Sequence, residues 1–506
     1  AYGVGCYSSP GDPPDTLWTS TFGGSDSDYG YSVQQTEDGG YIITGSTQSF
    51  GNGSSDVWLI RLEGDGSVVP YYGPTWHVST SGSDSNDGSE GSPFATIQHG
   101  IDVSTDGDTV SVSAGTYVEN INYNGKNIVV IGEDRETTII DGNQLTSVVH
   151  FEMGEDSTAV LDGFTITNGS DGDGGGITCQ FYSNPTLRNL IITGNSATGD
   201  GGGIFCNNSN PSLLNVMITG NNADGGGGIY CSSSSPSLVD VTITNNSVSA
   251  DGGGISCRYN STPSLENVTI VGNYAYDFGG GIHCEDASPS LTNVLIMDNS
   301  VSADGGGIFC YNSNPSLSNV EISNNSASDD GGGIYCYYSS PILANVTITD
   351  NSAFDDGGGI YCLDSSPSLV NCIVSDNSDG IFSNSGNPSI TYSDFYNNEN
   401  GNYSGCNPGE GCIEEDPLFV DPANEDYHLT ATSPCIDTGD PEFPLDPDGT
   451  RADMGAYYFD QTDVNIVNVT PDSLDFSTDL DTLSMTIRYV GIGVFSWNIT
   501  DAPDWL

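Results

Sequence analysis

A cysteine that returns about every 26 residues is the strongest constraint on how this 506-residue chain can fold. Each cysteine ends a GGGI-aromatic-Cys segment and is followed by a variant of PSLxNVxIxxN. Successive repeat cysteines are 27, 25, 26, 27, 26, 26 and 26 positions apart. A period this regular is typical of a solenoid, in which each repeat is one unit that stacks on its neighbours. The repeat cysteines are Cys179, Cys206, Cys231, Cys257, Cys284, Cys310, Cys336 and Cys362.

Each unit predicts short strands separated by turns, because apolar and polar residues alternate while Gly and Pro interrupt every repeat. Parallel strands stacked about 4.8 Å apart place like residues above like. We therefore expect a buried cysteine column and a ladder of asparagine amides that bond one to the next at a bend. The expected ladder contains Asn195, Asn221, Asn246, Asn273, Asn299, Asn325, Asn351 and Asn377. The sequence predicts an all-β fold, a right-handed parallel β-helix with about 26 residues per coil.

The GGGIYC and PSLxNVxI motifs resemble those of right-handed parallel β-helix proteins of the pectate-lyase-like superfamily. They are most similar to the polymorphic outer-membrane-type repeats of secreted bacterial and archaeal surface proteins. The segment that begins WHVSTSGSDS resembles the opening of that family. The resemblance implies a short helix that starts at Ser92 and Pro93, presents Ile97 and Ile101 on one face and caps the first coil.

The chain divides into six predicted regions, with small antiparallel β modules at both ends. A lone propeller-like blade cannot close a ring, and half an immunoglobulin-like sandwich leaves strand edges open. Either the chain is a fragment or processed precursor, or the two ends complete each other between neighbouring copies and build a head-to-tail filament. The regions are 1–15 (extension), 16–70 (blade), 75–150 (N-terminal cap and first coils), 151–395 (repeats), 396–462 (C-terminal cap) and 464–506 (incomplete sandwich).

Charge restricts the possible partners. The chain has 7 Lys and Arg against 68 Asp and Glu, a formal charge of −61. Such a surface repels nucleic acid and anionic membranes, and the sequence has no apolar run long enough to insert in a bilayer. We expect a secreted protein, extracellular or on a cell surface, in a cation-rich medium.

Two acidic loops, LDPDGTRAD and SDSNDG, are candidate calcium sites, although each is also compatible with a simple Asx turn. Near the C-terminal cap, Cys406, Cys412 and Cys435 could supply one disulfide. The candidate calcium ligands are Asp446, Asp448 and Asp453 in the first loop and Asp84, Asn86 and Asp87 in the second.

The superfamily resemblance also implies an enzyme as a rival function. Its lyases need a basic proton abstractor and its hydrolases need paired carboxylates. The repeats contain only two arginines, Arg188 and Arg258, and one histidine, His283, which we interpret as a solvated strand residue. No catalytic constellation is recognised, so we expect no enzymatic activity.

The sequence thus predicts a non-catalytic structural or adhesive surface protein that assembles with copies of itself. The alternative is a carbohydrate-binding or polysaccharide-cleaving β-helix with an extracellular polysaccharide as its ligand. Outward-facing aromatic residues, for example Tyr337, Tyr338 and Phe354, would favour the alternative.

Overall fold

The computed structural model describes residues 2–7, 16–22, 29–35, 41–48, 56–62, 68–69, 74–462, 466–470 and 486–490. Between residues 75 and 404 the chain winds into a parallel β-solenoid, in which each strand of the repeats pairs with its equivalent about 26 residues away. The predicted fold class is confirmed. No helix in the described part of the chain is long and apolar enough to cross a bilayer.

Three parallel sheets run along the solenoid. The cysteine sheet consists of Ile121–Asn122, Val149–Phe151, Ile177–Gln180, Ile204–Asn207, Ile229–Ser232, Ile255–Arg258, Ile282–Glu285, Ile308–Tyr311, Ile334–Tyr337, Ile360–Leu363, Ile381–Ser383 and Tyr403–Ser404. The short sheet consists of Ser170–Asp171, Ser196–Ala197, Asn222–Ala223, Ser247–Val248, Tyr274–Ala275, Ser300–Val301, Ser326–Ala327 and Ser352–Ala353.

The third sheet, called here the broad sheet, usually takes two strands from each coil. Its strands are Thr75–Val78, Thr109–Val112, Gly115–Val118, Val129–Gly132, Thr138–Asp141, Val160–Asp162, Thr165–Thr167, Thr186–Arg188, Ile191–Thr193, Ser212–Leu214, Met217–Thr219, Ser237–Val239, Thr242–Thr244, Ser264–Glu266, Thr269–Val271, Ser290–Met297, Ser316–Ser323, Ile342–Thr349, Ser368–Val370, Ile373–Ser375, Ser389–Thr391 and Asp394–Tyr396.

The register of the cysteine sheet places the eight repeat cysteines in one column. All eight are free and fully buried in a core that extends along the coils from Val78 to Phe395. Burial in this core disfavours the charged thiolate form, because a thiolate there would lose its hydration. The column therefore packs as small apolar side chains.

The asparagines form a continuous buried ladder at the bend between the broad and short sheets. In each rung the side-chain oxygen accepts from both the backbone N–H and the Nδ2 group of the asparagine one coil earlier; Asn246 donates both bonds to Asn273 at 3.0 Å. The Nδ2 group of Asn246 also donates to the carbonyl of Ile218 at 3.0 Å. Polar backbone groups at this bend are thus satisfied without water.

The N-terminal cap differs from the prediction in where its helix starts. The helix is Ile97–Val103, with Thr96 as its N-cap, and Ile97 and Ile101 are buried as expected. Ser92 and Pro93 do not start it, because Phe94 forms a bridge to Val78 and keeps this stretch extended. The helix thus starts a few residues later than predicted, and its role as the cap of the first coil is unchanged.

The C-terminal cap contains the strands Phe419–Asp421 and Asp426–Leu429, joined by the 3₁₀ turn Pro422–Asn424. This hairpin packs on the side of the stack, where Tyr427 donates to Asp350 at 2.9 Å, whereas Ile413 pairs with Asp394 at the end of the stack. The expected disulfide is absent here: Cys406, Cys412 and Cys435 are all free thiols.

Small antiparallel sheets lie in the terminal regions. They contain Tyr2–Tyr7 with Thr16–Phe22; Tyr29–Gln35, Tyr41–Thr47, Asp56–Leu62 and Val68–Val69; and Ile466–Thr470 with Thr486–Val490. The predicted incomplete sandwich, 464–506, falls mostly outside the described residues, as do the turns of the predicted blade. The proposed strand exchange between chains therefore stays a prediction.

Candidate functional site

A groove of about 780 Å³ lies on the outer face of the broad sheet, where the C-terminal cap folds back over it. The sheet supplies its floor through Thr269 and Leu295, whose side chains point away from the solenoid core. The cap supplies one wall through the segments 443–447 and 455–458. The groove is thus built by residues that are far apart in the sequence.

A second asparagine ladder, distinct from the buried one, is the part of the groove wall that the broad sheet contributes beside this floor. Asn293 donates to Asn267 at 3.3 Å, Asn319 to Asn293 at 3.2 Å, and Asn345 to Asn319 at 3.2 Å. All four residues have a left-handed backbone, which asparagine tolerates better than most residues. Asn267 and Asn293 are exposed. Each amide carries two N–H groups and directs one to its neighbour, so the wall offers a row of neutral donors and acceptors to a ligand.

Specific contacts attach the cap to the sheet. Tyr457 donates from its hydroxyl to Glu321 at 2.8 Å, and the backbone N–H of Ala456 donates to the Thr347 hydroxyl at 2.9 Å. His428 stacks on the Tyr457 ring with 4.2 Å between ring centroids. Tyr458, by contrast, is 41% exposed and lines the groove. Tyr457 therefore anchors the cap, and its neighbour faces any ligand.

The groove also contains carboxylates with altered acidity. Burial raises the pKa of Asp446 to about 6 and that of Asp453 to about 7. Asp453 accepts from the backbone N–H groups of Asp437 and Phe459, both at 2.7 Å, so its oxygens hold the cap together. Both acids line the groove from the cap. This arrangement offers hydrogen bonds and a stacking surface to a ligand rather than two carboxylates on opposite sides of it.

The first predicted calcium loop lies in the C-terminal cap. Asp448 accepts from Thr450 and from the backbone N–H of Gln461 at 3.0 Å, and Asp446 accepts from the backbone N–H of Asp453 at 2.9 Å. Most carboxylate oxygens of this loop thus accept hydrogen bonds that stabilise the loop itself.

The second predicted calcium loop lies at the other end of the coil stack. Asp84 accepts from the N–H groups of Ala95 and Thr96, Asp87 accepts from Ser89, and Asn86 donates to the carbonyl of Pro93. The structure does not bring the two loops together. Within the described residues, no three His, Cys, Asp or Glu side chains are grouped so as to hold a metal ion. Calcium binding stays a prediction.

A second polar cluster interrupts the regular repeats near Arg258. Its guanidinium forms ion pairs with Asp251 at 2.5 Å and Glu285 at 2.7 Å. His283 is buried, lies 3.4 Å from the Ser256 hydroxyl and stacks on an aromatic ring, so its interpretation as a solvated residue is wrong. Burial and the nearby arginine lower the pKa of His283 to about 3, which keeps the imidazole neutral. An enclosed neutral ring stabilises the stack and is a poor proton shuttle.

Sequence reasoning missed the groove, since its lining residues look like ordinary repeat and cap residues. The one available signal was the GAYYF segment, whose adjacent tyrosines, Tyr457 and Tyr458, need different environments. The aromatic residues singled out from the sequence lie elsewhere: Tyr338 and Phe354 are exposed on turns, and Tyr337 is partly buried beside Tyr338.

Several solved structures are similar to this chain. The pectate lyase Pel9A has 13% identity, with a TM-score of 0.48 over 76% of this chain and 96% of that one. The pectin methylesterase from carrot has 12% identity, with a TM-score of 0.28 over 59% and 82%. The family 28 exopolygalacturonase of Yersinia enterocolitica has 11% identity, with a TM-score of 0.27 over 74% and 82%. Likenesses at this level carry no functional argument.

The match to a family model, unlike the likeness to these structures, assigns the chain to a family. None of the curated proteins matches the chain. The model of the family described as right handed beta helix region matches residues 99–269, 224–351 and 253–413, which overlap and together span more than half of the chain. The chain belongs to this right-handed β-helix family.

Proposed function

We propose that this protein binds polysaccharide in the groove between the broad sheet and the C-terminal cap. The observation that carries the proposal is the amide ladder from Asn267 to Asn345, which lines the same groove as the cap residue Tyr458. Sugars present hydroxyl groups at their edges and C–H groups on their faces, and a groove lined by neutral amides and an aromatic ring complements both.

The charge of the chain narrows the ligand class. With a formal charge of −61 and the acids Asp446 and Asp453 in the groove wall, the surface repels polyuronates and sulfated glycans. A neutral glycan meets no such penalty. The open-ended groove of the protein also suits a polymer, because a polysaccharide chain can continue along the sheet beyond the cap.

The ladder matches a polymer in a second respect. Successive amides are one coil apart, about 4.8 Å along the sheet. This spacing is close to the rise of one hexose in an extended chain, so consecutive sugars can meet equivalent amides. A ligand that lies along the solenoid axis therefore uses the repeat itself as its binding surface.

The test is a binding titration of the intact chain against neutral β-1,4-glucan, xylan and mannan oligosaccharides, with oligogalacturonate as the anionic comparison. Asn293→Gly preserves the left-handed backbone and removes one amide, and Tyr458→Ala removes the ring. Each should weaken binding of a neutral oligosaccharide about 2- to 12-fold, the effect of one net hydrogen bond or one ring contact.

Matched controls separate binding from folding. Asn189→Gly removes an amide three coils before Asn267 in the same column, separated from the groove ladder by Asp240, and Tyr276→Ala removes an exposed ring on another face. With oligosaccharides short enough to fill only the groove, neither variant should change affinity. Failure to bind any neutral glycan, or equal losses in the control variants, would contradict the proposal. If oligosaccharides are shortened during the titration and Asp446→Asn prevents it, the protein cleaves its ligand as well.

The setting of this activity follows from the same surface. An extracellular location and diffuse association with calcium suit a chain of this charge, and both are proposals. The head-to-tail filament rests on terminal modules that are largely outside the described residues, so the groove is the better supported basis for function.

A further inference from the structure

The turn after each repeat cysteine contains bulky residues where the backbone disfavours them. The second residue after the cysteine has a left-handed backbone in all eight coils of the column. Five coils place Asn, Asp or Ser there, which are short polar residues suited to turns. The other three place Phe181, Tyr259 and Tyr338, with φ of 54°, 56° and 49°. A bulky residue in this region costs about 1 kcal/mol, so local structure does not favour these aromatics.

The three aromatic positions are evenly spaced. Counted from Cys179, they fall in the first, fourth and seventh coils. Three coils correspond to about 14 Å along the solenoid at the parallel strand spacing. The rings lie along one edge of the rod, where the cysteine sheet turns toward the broad sheet. Phe181, Tyr259 and Tyr338 are 64%, 54% and 52% exposed.

The turns are also modified at these coils. In coils one and four the turn is one residue longer, CQFYSNP and CRYNSTP against CNNSNP, and the added residue likewise has a left-handed backbone. In coil one this adds Tyr182, which is 75% exposed. Coil seven has no insertion, but Tyr337 stacks on Tyr338 with 4.3 Å between ring centroids. Two different local solutions therefore bring aromatic rings to the same edge.

A row of neutral polar side chains runs beside these rings. It lies two residues further on in the regular turns, and its members link the coils by accepting backbone N–H groups: Asn210 donates to Asn184, Ser235 to Asn210, and Ser340 to Asn314. Some side-chain groups of the row are bonded to one another, as Ser235 is to Thr262 at 3.0 Å, while Asn210, Thr262, Asn314, Ser340 and Ser366 are exposed to solvent. The row consists of Asn184, Asn210, Ser235, Thr262, Ser288, Asn314, Ser340 and Ser366.

We propose that this aromatic edge, defined by Phe181, Tyr182, Tyr259 and Tyr338, is a second carbohydrate site that holds a linear uncharged polysaccharide parallel to the solenoid axis. Each ring stacks on the face of one sugar, and the polar row bonds to its hydroxyl groups. One ring every third coil matches about one contact every third sugar, since the rise of a coil is close to that of an extended hexose. Strained, exposed rings beside neutral hydrogen-bonding groups are what such a ligand requires.

Because the aromatic edge shares no residue with the groove, the proposal of a second site stands even if the groove binds no glycan. Two sites on different sides of one rod would let a single molecule hold two polymer chains. The charge of −61 again restricts the ligand to uncharged polymers.

The test uses immobilised β-1,4-glucan, xylan, mannan and β-1,3-glucan, with the intact chain in solution. Phe181→Asn, Tyr259→Asn and Tyr338→Asn install the residue that the second and sixth coils carry at the same position, Asn208 and Asn312, so folding is preserved and thermal stability should not fall. Each single variant should lose about 2- to 12-fold in affinity, and the triple variant should lose the product of the three effects.

Phe354→Asn is the matched control, because Phe354 is 84% exposed on a different turn. This variant should bind each glycan with the affinity of the unmodified protein. The groove variants Asn293→Gly and Tyr458→Ala, combined with the triple variant, show which site accounts for any residual binding. Soluble oligosaccharides should gain affinity in steps as their length reaches one, two and then three rings.

Three results would overturn the proposal. The first is a triple variant that binds every glycan as the unmodified chain does. The second is an unmodified chain that binds none of the glycans. The third is sedimentation showing a dimer that only the triple variant loses, which would identify the occupant of the edge as a second copy of this chain.

Discussion

Removal of one amide from the buried asparagine ladder should destabilise the fold far more than removal of one from the exposed ladder. Asn299 lies in the middle of the buried ladder and is fully enclosed. Its side-chain oxygen accepts from the backbone N–H of Asn273 at 3.0 Å, and its Nδ2 group donates to the carbonyl of Ile270 at 2.9 Å. In Asn299→Ala both backbone groups lose these partners in a region without solvent.

The magnitude follows from the desolvation penalty. The Ile270 carbonyl keeps its place in the parallel strand pairing with Met297, so the Asn273 N–H is the group left without a partner. A buried donor without a partner costs about 1–3 kcal/mol, and the free energy of unfolding should fall by about that amount. The Asn273 amide should also exchange with solvent about 5- to 150-fold faster, the range that 1–3 kcal/mol implies. Local exchange is the sharper readout, because a repeat array need not unfold as one cooperative unit.

Hydrogen exchange read by mass spectrometry, together with urea unfolding, tests this expectation. The control is Asn267→Gly, which removes an exposed amide bonded to Asp240 at 3.2 Å and keeps the left-handed backbone; it should change stability by no more than about 0.5 kcal/mol. If Asn299→Ala unfolds like the control and the Asn273 amide keeps its protection, the ladder is not a source of stability and our reasoning is wrong.

The repeat made the solenoid predictable because a period of 26 leaves few choices once strands must stack in parallel. The cysteine and asparagine columns follow from alignment alone, since each register pair joins equivalent residues. The helix start was not predictable in this way. Ser92 and Pro93 are good helix-starting residues, but Phe94 bonds to the strand at His77, and this tertiary contact overrides the local preference.

His283 shows why an outward position is not the same as a solvated one. Its strand alternates as predicted, and the imidazole does point away from the core. The glycine turn that precedes the strand folds over it, however: a Cβ on Gly279 would come within 2.9 Å of the His283 Cβ. Neighbouring rings, among them Phe309, complete the enclosure. Sequence alternation cannot show that a turn of the same coil covers its own strand.

The groove was unpredictable for a different reason. Tyr457 and Glu321 are 136 positions apart, and no periodicity relates a cap segment to the coil on which it docks. The aromatic edge lies between these cases: all of its residues are in the repeats, and their exchange for Asn, Asp or Ser in other coils is visible in an alignment of the units. What the alignment could not show is that the shared position has a left-handed backbone, which turns an ordinary substitution into a strained one.

Two further predictions concern pH. Burial and the neighbouring acids raise the pKa of Asp304 from 3.8 to about 6, so the folded chain holds the extra proton and stability is lost as the pH rises between these values. Asp304→Asn, whose oxygen can still accept from the Asp330 N–H, should raise the free energy of unfolding by about 1–2 kcal/mol at pH 8, after allowance for solvent screening, and leave it unchanged at pH 4. His283 titrates in the opposite sense. Its folded-state pKa of about 3 is below the unfolded value of about 6.5, so the unfolded chain binds the extra proton and stability is lost as the pH falls between these values, at about 1.4 kcal/mol per unit. His283→Phe, the residue type that Phe309 supplies in the next coil, should therefore gain about 3 kcal/mol over the unmodified protein at pH 4 relative to their difference at pH 7.5, as measured by urea unfolding. A difference that does not change between the two pH values would mean that the imidazole is solvated or protonated in the folded protein, contrary to the enclosure described above.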